Sequence, residues 1–211
     1  MNSSRLIKIS KYLTKYLRHE PDRIGIQLAP GGWVPVSELL GACAKNNFAI
    51  QLAELKQVVA GNDKQRFSFD STGTLIRANQ GHSVEVDLQL QPAVPPNILY
   101  HGTGSGAVES ILTEGIKKMS RHHVHLSRDI QTAHKVGGRH GIPAILSVDA
   151  AAMHDDGYTF YCSENGVWLV DFIPPNYLKL SQLTVDSYQL PITNYQLPIT
   201  HSPLPNLKSK I

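Results

Sequence analysis

The chain has 211 residues, 41% of them hydrophobic and 18% charged, a composition that suits one large globular domain or two small lobes. No apolar run approaches the roughly 18 residues of a membrane span. Met1–Arg5 lacks the apolar stretch of a secretory signal, and the two cysteines, Cys43 and Cys162, stand in no paired motif. This argues against a disulfide scaffold or a cysteine zinc site, so a cytoplasmic setting is expected.

The formal charge of +3 is unevenly placed. Residues 1–80 hold 11 Lys and Arg against 6 Asp and Glu, and the rest hold 9 against 11. A basic front half suits an anionic partner, although ordinary surface charge would look the same.

In chain order, Leu6, Ile9, Leu13 and Leu17 recur near helical spacing and predict an amphipathic helix that Pro21 stops. Lys8, Lys11, Lys15 and Arg18 share one basic face of it. A second helix is expected from Ser37, read as its N-cap after Val34-Pro35-Val36. A third spans about Leu52 to Ala60 and ends at Gly61-Asn62. Strands near Arg66–Asp70 and Thr74–Ala78 follow, joined by Asp70-Ser71-Thr72-Gly73. Three helices and a hairpin suggest a winged-helix lobe over residues 1–86.

Residues 87–97, with Pro92, Pro95 and Pro96, read as a linker. Beyond it, strands are expected at Ile98–His101, His123–Leu126, Ile145–Val148, Thr159–Cys162 and Val167–Phe172. Helices are expected at Ala107–Leu112 and Ile130–Val136. The mixture gives an α+β fold class, with a second lobe over residues 98–183. The stretch Tyr188–Thr193 recurs at Tyr195–Thr200. Such a proline-bearing repeat cannot be a helix or a central strand, so residues 184–211 are expected to be a disordered tail, with a partner-binding segment as the rival reading.

Four clusters could carry chemistry. Arg18-His19 closes the basic helix; an arginine fork can hold two phosphate oxygens and the imidazole adds a donor, although the same pair serves as a plain surface cap. Arg66 should project from a strand that Phe67 and Phe69 anchor, and Gly81 permits close backbone approach; an ordinary exposed wing would look alike. The run His101-Gly102-Thr103-Gly104 ends a strand with a ring, a hydroxyl and free amides, suited to a nucleotide, without the spacing of a Rossmann fingerprint or a P-loop. In Arg121-His122-His123-Val124-His125-Leu126-Ser127, His123 and His125 should share a face while His122 points away. Zinc is the alternative there, but no further ligand stands at a suitable spacing, and His125 also reads as a satisfied core histidine. These clusters hold cations and neutral donors rather than a strong base, a makeup that stabilises anions and positions phosphates.

Taken together, LRHEP (17–21), GGWVPVSELL (31–40), DKQRFSF (63–69), IRANQGHS (76–83), LYHGT (99–103), MSRHHVHLS (119–127), GGRHG (137–141) and NGVWL (165–169) resemble the NAD-dependent RNA 2′-phosphotransferases, in the family's order. The resemblance implies a winged-helix lobe that grips RNA and an ADP-ribosyltransferase-like lobe that holds NAD as co-substrate. It implies that Arg18, His19, Arg66 and Arg121 surround the transferred phosphate. His101, Gly102, Thr103, His125, Ser127, Arg139 and Val167 would then line the NAD site, with Val167 standing where many ADP-ribosyltransferases carry a catalytic glutamate.

The implied reaction moves an internal 2′-phosphate of RNA, of the tRNA splice-junction type, to NAD. Its products are RNA 2′-hydroxyl, ADP-ribose 1″,2″-cyclic phosphate and nicotinamide. No metal, membrane or obligate protein partner is expected. The alternatives are an ADP-ribosyltransferase acting on nucleic-acid ends or protein, and a non-catalytic nucleic-acid-binding module.

Overall fold

The computed structural model describes residues 3–61, 65–185 and 188–190. Asp63 and Lys64 of DKQRFSF, and residues 191–211 of the expected tail, lie outside the described residues.

The first helix, α1 (Ser3–Arg18), forms as the periodicity predicts. It seats Ile9, Leu13 and Leu17 with no exposed surface, each contributing about 1.5–3 kcal/mol of burial. Lys8, Lys11 and Lys15 remain in solvent, but Arg18 does not: it is only 9% exposed. Strand β1 (Trp33–Pro35) then runs straight into α2 (Val36–Lys45). The helix begins one residue before the expected cap, with Pro35 at the N-cap position and the Val36 amide donating to the Thr74 carbonyl at 2.9 Å. Ser37 lies inside the first turn instead of capping it.

Helix α3 (Leu52–Ala60) opens on a capping box between Gln51 and Glu54, which satisfies two of its free amides. Strands β2 (Phe67–Phe69) and β3 (Leu75–Ala78) form the expected hairpin, and β1 adds to its other side in the order β1-β3-β2. Core residues from Ile9 to Ala78 make one hydrophobic cluster. A second cluster runs from Leu99 to Leu178.

The second cluster forms between two antiparallel sheets. One has the order β12-β11-β7-β4, built from β4 (Ile98–Gly104), β7 (Pro143–Asp149), β11 (Leu178–Val185) and β12 (Tyr188–Leu190). The other has the order β6-β9-β8, from β6 (Val124–Leu126), β8 (Tyr161–Cys162) and β9 (Trp168–Val170). Short strands β5 (Ile116–Lys117) and β10 (Phe172–Ile173) pair with each other. The expected strand over Val167–Phe172 is thus split at Asp171.

Helices α4 (Val108–Glu114), α5 (Ile130–Gly137) and α6 (Ala150–Asp155) complete the chain, with α5 packed across β4 and β7. Asp129 caps α5 by accepting from the Thr132 amide at 2.7 Å, as N-cap carboxylates do. β11 reaches Val185 and Tyr188–Leu190 pairs with it, so the first repeat copy begins as an edge strand, where a following proline is tolerated.

Several contacts among the described residues join the two clusters. The Gly31 amide donates to the Asp87 carbonyl at 2.7 Å. The linker bridges Pro92 to Tyr161, and Arg77 of β3 makes an ion pair with Glu164.

Candidate active site

Two strand ends and one helix end converge. The β4 and β6 edges touch at Tyr100 and Ser127, whose amides donate to each other's carbonyls at 2.9 and 2.8 Å. This contact sets His101 and Thr103 beside His125 and Ser127. From the other half come Arg18 and His19 at the end of α1, tied to the segment after β3. The Ser83 amide donates to the Arg18 carbonyl at 2.9 Å, and the Ser83 hydroxyl lies 2.9 Å from His19 Nδ1.

Arg66 and Arg121 both act electrostatically on Arg18. Burial, then the nearby charges of Arg66 and Arg121, lowers the Arg18 guanidinium to about 10. Its Nε and Nη2 are buried without a partner. Burial, then Arg139, lowers Arg66. Among the described residues no ion pair links Arg18 or Arg121 to a carboxylate, and Glu20, beside His19 in sequence, is held by Lys15 and Arg23 at 3.3 and 3.0 Å. Crowded like charges cost free energy that an anion would recover.

Burial pushes the three imidazoles toward the neutral form. Burial, then Arg18 and Arg121, lowers His19. Burial brings His125 down to about 3, reinforced by Arg121 and Arg18. Burial likewise lowers His101. The ring protons follow from the partners. His101 Nδ1 donates to the His125 carbonyl at 3.1 Å, which leaves its Nε2 as an acceptor. Arg121 Nη1 lies 3.5 Å from His125 Nδ1. A guanidinium can only donate, so the His125 proton sits on Nε2, which is buried with no acceptor.

Three sequence readings change. Gly81 is approached by Arg18, not left open: a Cβ there would stand 3.2 Å from Arg18 Nη1. Gly102 has a packing reason, since a Cβ would stand 1.8 Å from the Ala133 carbonyl oxygen of α5. His122 does not leave the group; its ring lies 6.3 Å from His82 and 6.4 Å from His123. His123 itself sits against Tyr161 at 5.5 Å. Val167 is fixed by a turn in which Ser163 donates to its carbonyl from both N and Oγ at 3.0 Å. Arg139 is exposed just beyond α5 and faces Arg66.

The sequence model of the RNA 2′-phosphotransferase, Tpt1 / KptA family matches residues 4–172. The chain belongs to the RNA 2′-phosphotransferase family. It is 69% identical over 179 residues to a probable RNA 2′-phosphotransferase of Nostoc punctiforme, covering 85% of this chain and 99% of that one. It is 57% identical over 182 residues to one of Herpetosiphon aurantiacus, at 86% and 100% coverage. A third, from Streptomyces griseus subsp. griseus, is 54% identical over 187 residues, at 85% and 99%.

Two further residues beside the arginines, Asn79 and His82, were not singled out from the sequence. Asn79 donates from Nδ2 to the Gln65 carbonyl at 2.7 Å and from its amide to the Arg66 carbonyl at 2.9 Å, which fixes the backbone that bears Arg66. His82 is fully buried with neither ring nitrogen partnered. Burial, then Arg18, His122, His19 and Arg77, brings it to about 3. Both lie in the stretch IRANQGHS (76–83), which the family resemblance marks as a whole without assigning either residue a role.

Proposed function

We propose that this chain transfers an internal 2′-phosphate of RNA to NAD, giving RNA with a free 2′-hydroxyl, ADP-ribose 1″,2″-cyclic phosphate and nicotinamide. The observation that supports this reading is the buried Arg18, with two unpartnered nitrogens and the charges of Arg66 and Arg121, from both halves of the chain, acting on it. We read residues 1–86 as a winged-helix RNA-binding lobe and 98–183 as an ADP-ribosyltransferase-like lobe.

The residues at the β4–β6 junction fit a dinucleotide. The His125 Nε2 proton lacks an acceptor, His101 Nε2 lacks a proton, and the Thr103 side chain is half-buried; ribose hydroxyls and diphosphate oxygens satisfy such groups. NAD supplies an electrophilic anomeric carbon whose bond to nicotinamide breaks with the electron pair leaving on nicotinamide.

The 2′-phosphate oxygen that attacks this carbon is already anionic, so no general base is needed. That accords with the apolar Val167 at the position where related transferases carry glutamate. The ribose 2″-hydroxyl then attacks phosphorus, the bond from phosphorus to the RNA 2′-oxygen breaks, and the hydroxyl proton ends on that oxygen. We assign the carriage of that proton to His19, whose proton affinity is lowered by burial and then by Arg18 and Arg121. The three guanidinium groups hold the equatorial oxygens; losing one such contact costs about 2–4 kcal/mol of transition-state stabilisation.

The test is a 2′-phosphorylated oligoribonucleotide incubated with the protein, with and without NAD. NAD-dependent loss of phosphate, with cyclic phosphate as product, is expected. Phosphate release without NAD, or an ADP-ribosylated RNA that persists, rules the reading out.

A further inference from the structure

Beside the arginine cluster lies a row of rings that the reaction above leaves unused. His82 touches the row from inside, 6.3 Å from His122; His122 lies 6.4 Å from His123, and His123 lies 5.5 Å from Tyr161. His122, His123 and Tyr161 are half-buried and line a cleft of about 170 Å³ together with Val86 and, from the linker, Asp87, Leu88 and Leu90. Leu88 is buried, so this wall is anchored. Asp87 turns its carboxylate to the Gln89 amide at 2.8 Å and remains exposed, an acceptor at the mouth. The cleft is smaller than the roughly 300–1,000 Å³ that drug-sized ligands take, and it suits one planar heterocycle.

Its position selects the occupant. The row meets the phosphate site through His82, on which both Arg18 and His122 act, and not through the β4–β6 junction where Thr103 and Ser127 sit. Rings and a carboxylate acceptor next to a cationic phosphate cradle are what a splayed nucleotide needs: stacking for the base, an acceptor for an exocyclic amine, and cations for the phosphate.

We propose that the cleft between Asp87, His122 and Tyr161 seats a nucleobase of the RNA, either at the 2′-phosphorylated nucleotide or at its immediate neighbour. This rests on the reading of the arginine cluster as the seat of the RNA 2′-phosphate.

The experiment is fluorescence anisotropy of a labelled 2′-phosphorylated oligoribonucleotide without NAD, so binding is read independently of turnover. It is compared with the same strand made abasic at the phosphorylated position or at the next one. Tyr161→Leu should weaken binding of the intact strand about tenfold, the scale of one lost stack, and His122→Ala should do likewise. Tyr161→Phe, which keeps the ring, should bind as the wild type does. The penalty should vanish with one of the two abasic strands.

Equal penalties on all three strands would overturn the proposal, as would unchanged affinity in Tyr161→Leu. A raised KM for NAD with unchanged RNA affinity would also overturn it, assigning the cleft to a base of the dinucleotide. Should Tyr161→Leu fail to fold, His122→Ala and the wild-type comparison of intact with abasic strands decide the matter. Absence of NAD-dependent turnover in the wild type would instead count against the proposed reaction.

Discussion

The guanidinium of Arg77 and the carboxylate of Glu164 meet across 87 positions of sequence. Arg77 lies over the Trp33 ring at 4.4 Å and donates to the Gly31 carbonyl at 3.3 Å, so its end of the pair is stiff. Glu164 belongs to the turn that presents Val167. The pair therefore sets one half of the site against the other.

Glu164→Gln tests this. Glu164 is half exposed, so stability should change by less than about 1 kcal/mol. kcat/KM should fall at least a few-fold, because misplacement by about 1 Å can cost up to about 100-fold. Denaturant titration and steady-state kinetics give both numbers, and an unchanged kcat/KM would refute the role.

Gly102→Ala should damage the fold more than the binding surface. With its Cβ 1.8 Å from the Ala133 carbonyl oxygen, α5 must lift from β4. A cost of several kcal/mol is expected, at or above the usual 1–3 kcal/mol of overpacking. Gly106→Ala, with nothing within 4 Å, is the control and should melt near the wild type. Similar melting temperatures for the two variants would show that α5 does not bear on Gly102.

Arg18→Met should leave the free protein as stable as before or more so, since it removes a crowded buried cation with two unpartnered nitrogens. The same change should lower kcat/KM by about 100- to 1,000-fold. Inorganic phosphate should raise the melting temperature of the wild type by linkage and do so less in Arg18→Met. Equal shifts in both proteins would place the anion elsewhere.

Acid should destabilise the protein early. His82 and His125 fall from 6.5 to about 3 in the folded chain, chiefly through burial. The unfolded chain takes up these protons near pH 6.5 and the folded chain does not. The stability they give is thus complete above pH 6.5 and declines as the pH is lowered toward 3. The slope approaches about 1.4 kcal/mol per pH unit for each imidazole. Denaturant midpoints between pH 8 and 5 measure it, and His82→Asn should flatten the curve. A level profile between pH 7 and 5 would contradict the assignment.

The helical face of α1 could be read from spacing alone, because Ile9, Leu13 and Leu17 all enter one core. β11 could not. Its pairing with β7 slips between Leu180 and Gln182, and a bulge of that kind breaks the two-residue alternation that marks a strand. Helix α6 has small residues and little periodicity, and its start rests on the Asp149 carboxylate accepting from the Ala152 amide. At the site, Arg18, Arg66 and Arg121 were named from motifs, but the action of the latter two on Arg18 is tertiary. So is the burial of Arg18, which helical phase alone grouped with Lys8, Lys11 and Lys15 on one basic face. His122 was misjudged because alternation holds only within β6, which starts at Val124.

The strand order β12-β11-β7-β4 has a practical corollary. Three strand spacings, roughly 14 Å in all, separate β12 from the strand that carries His101. An affinity handle or fluorophore joined after β12 sets out from the opposite margin of that sheet. Surface immobilisation through such a handle would leave the histidine-bearing margin facing the bulk solution.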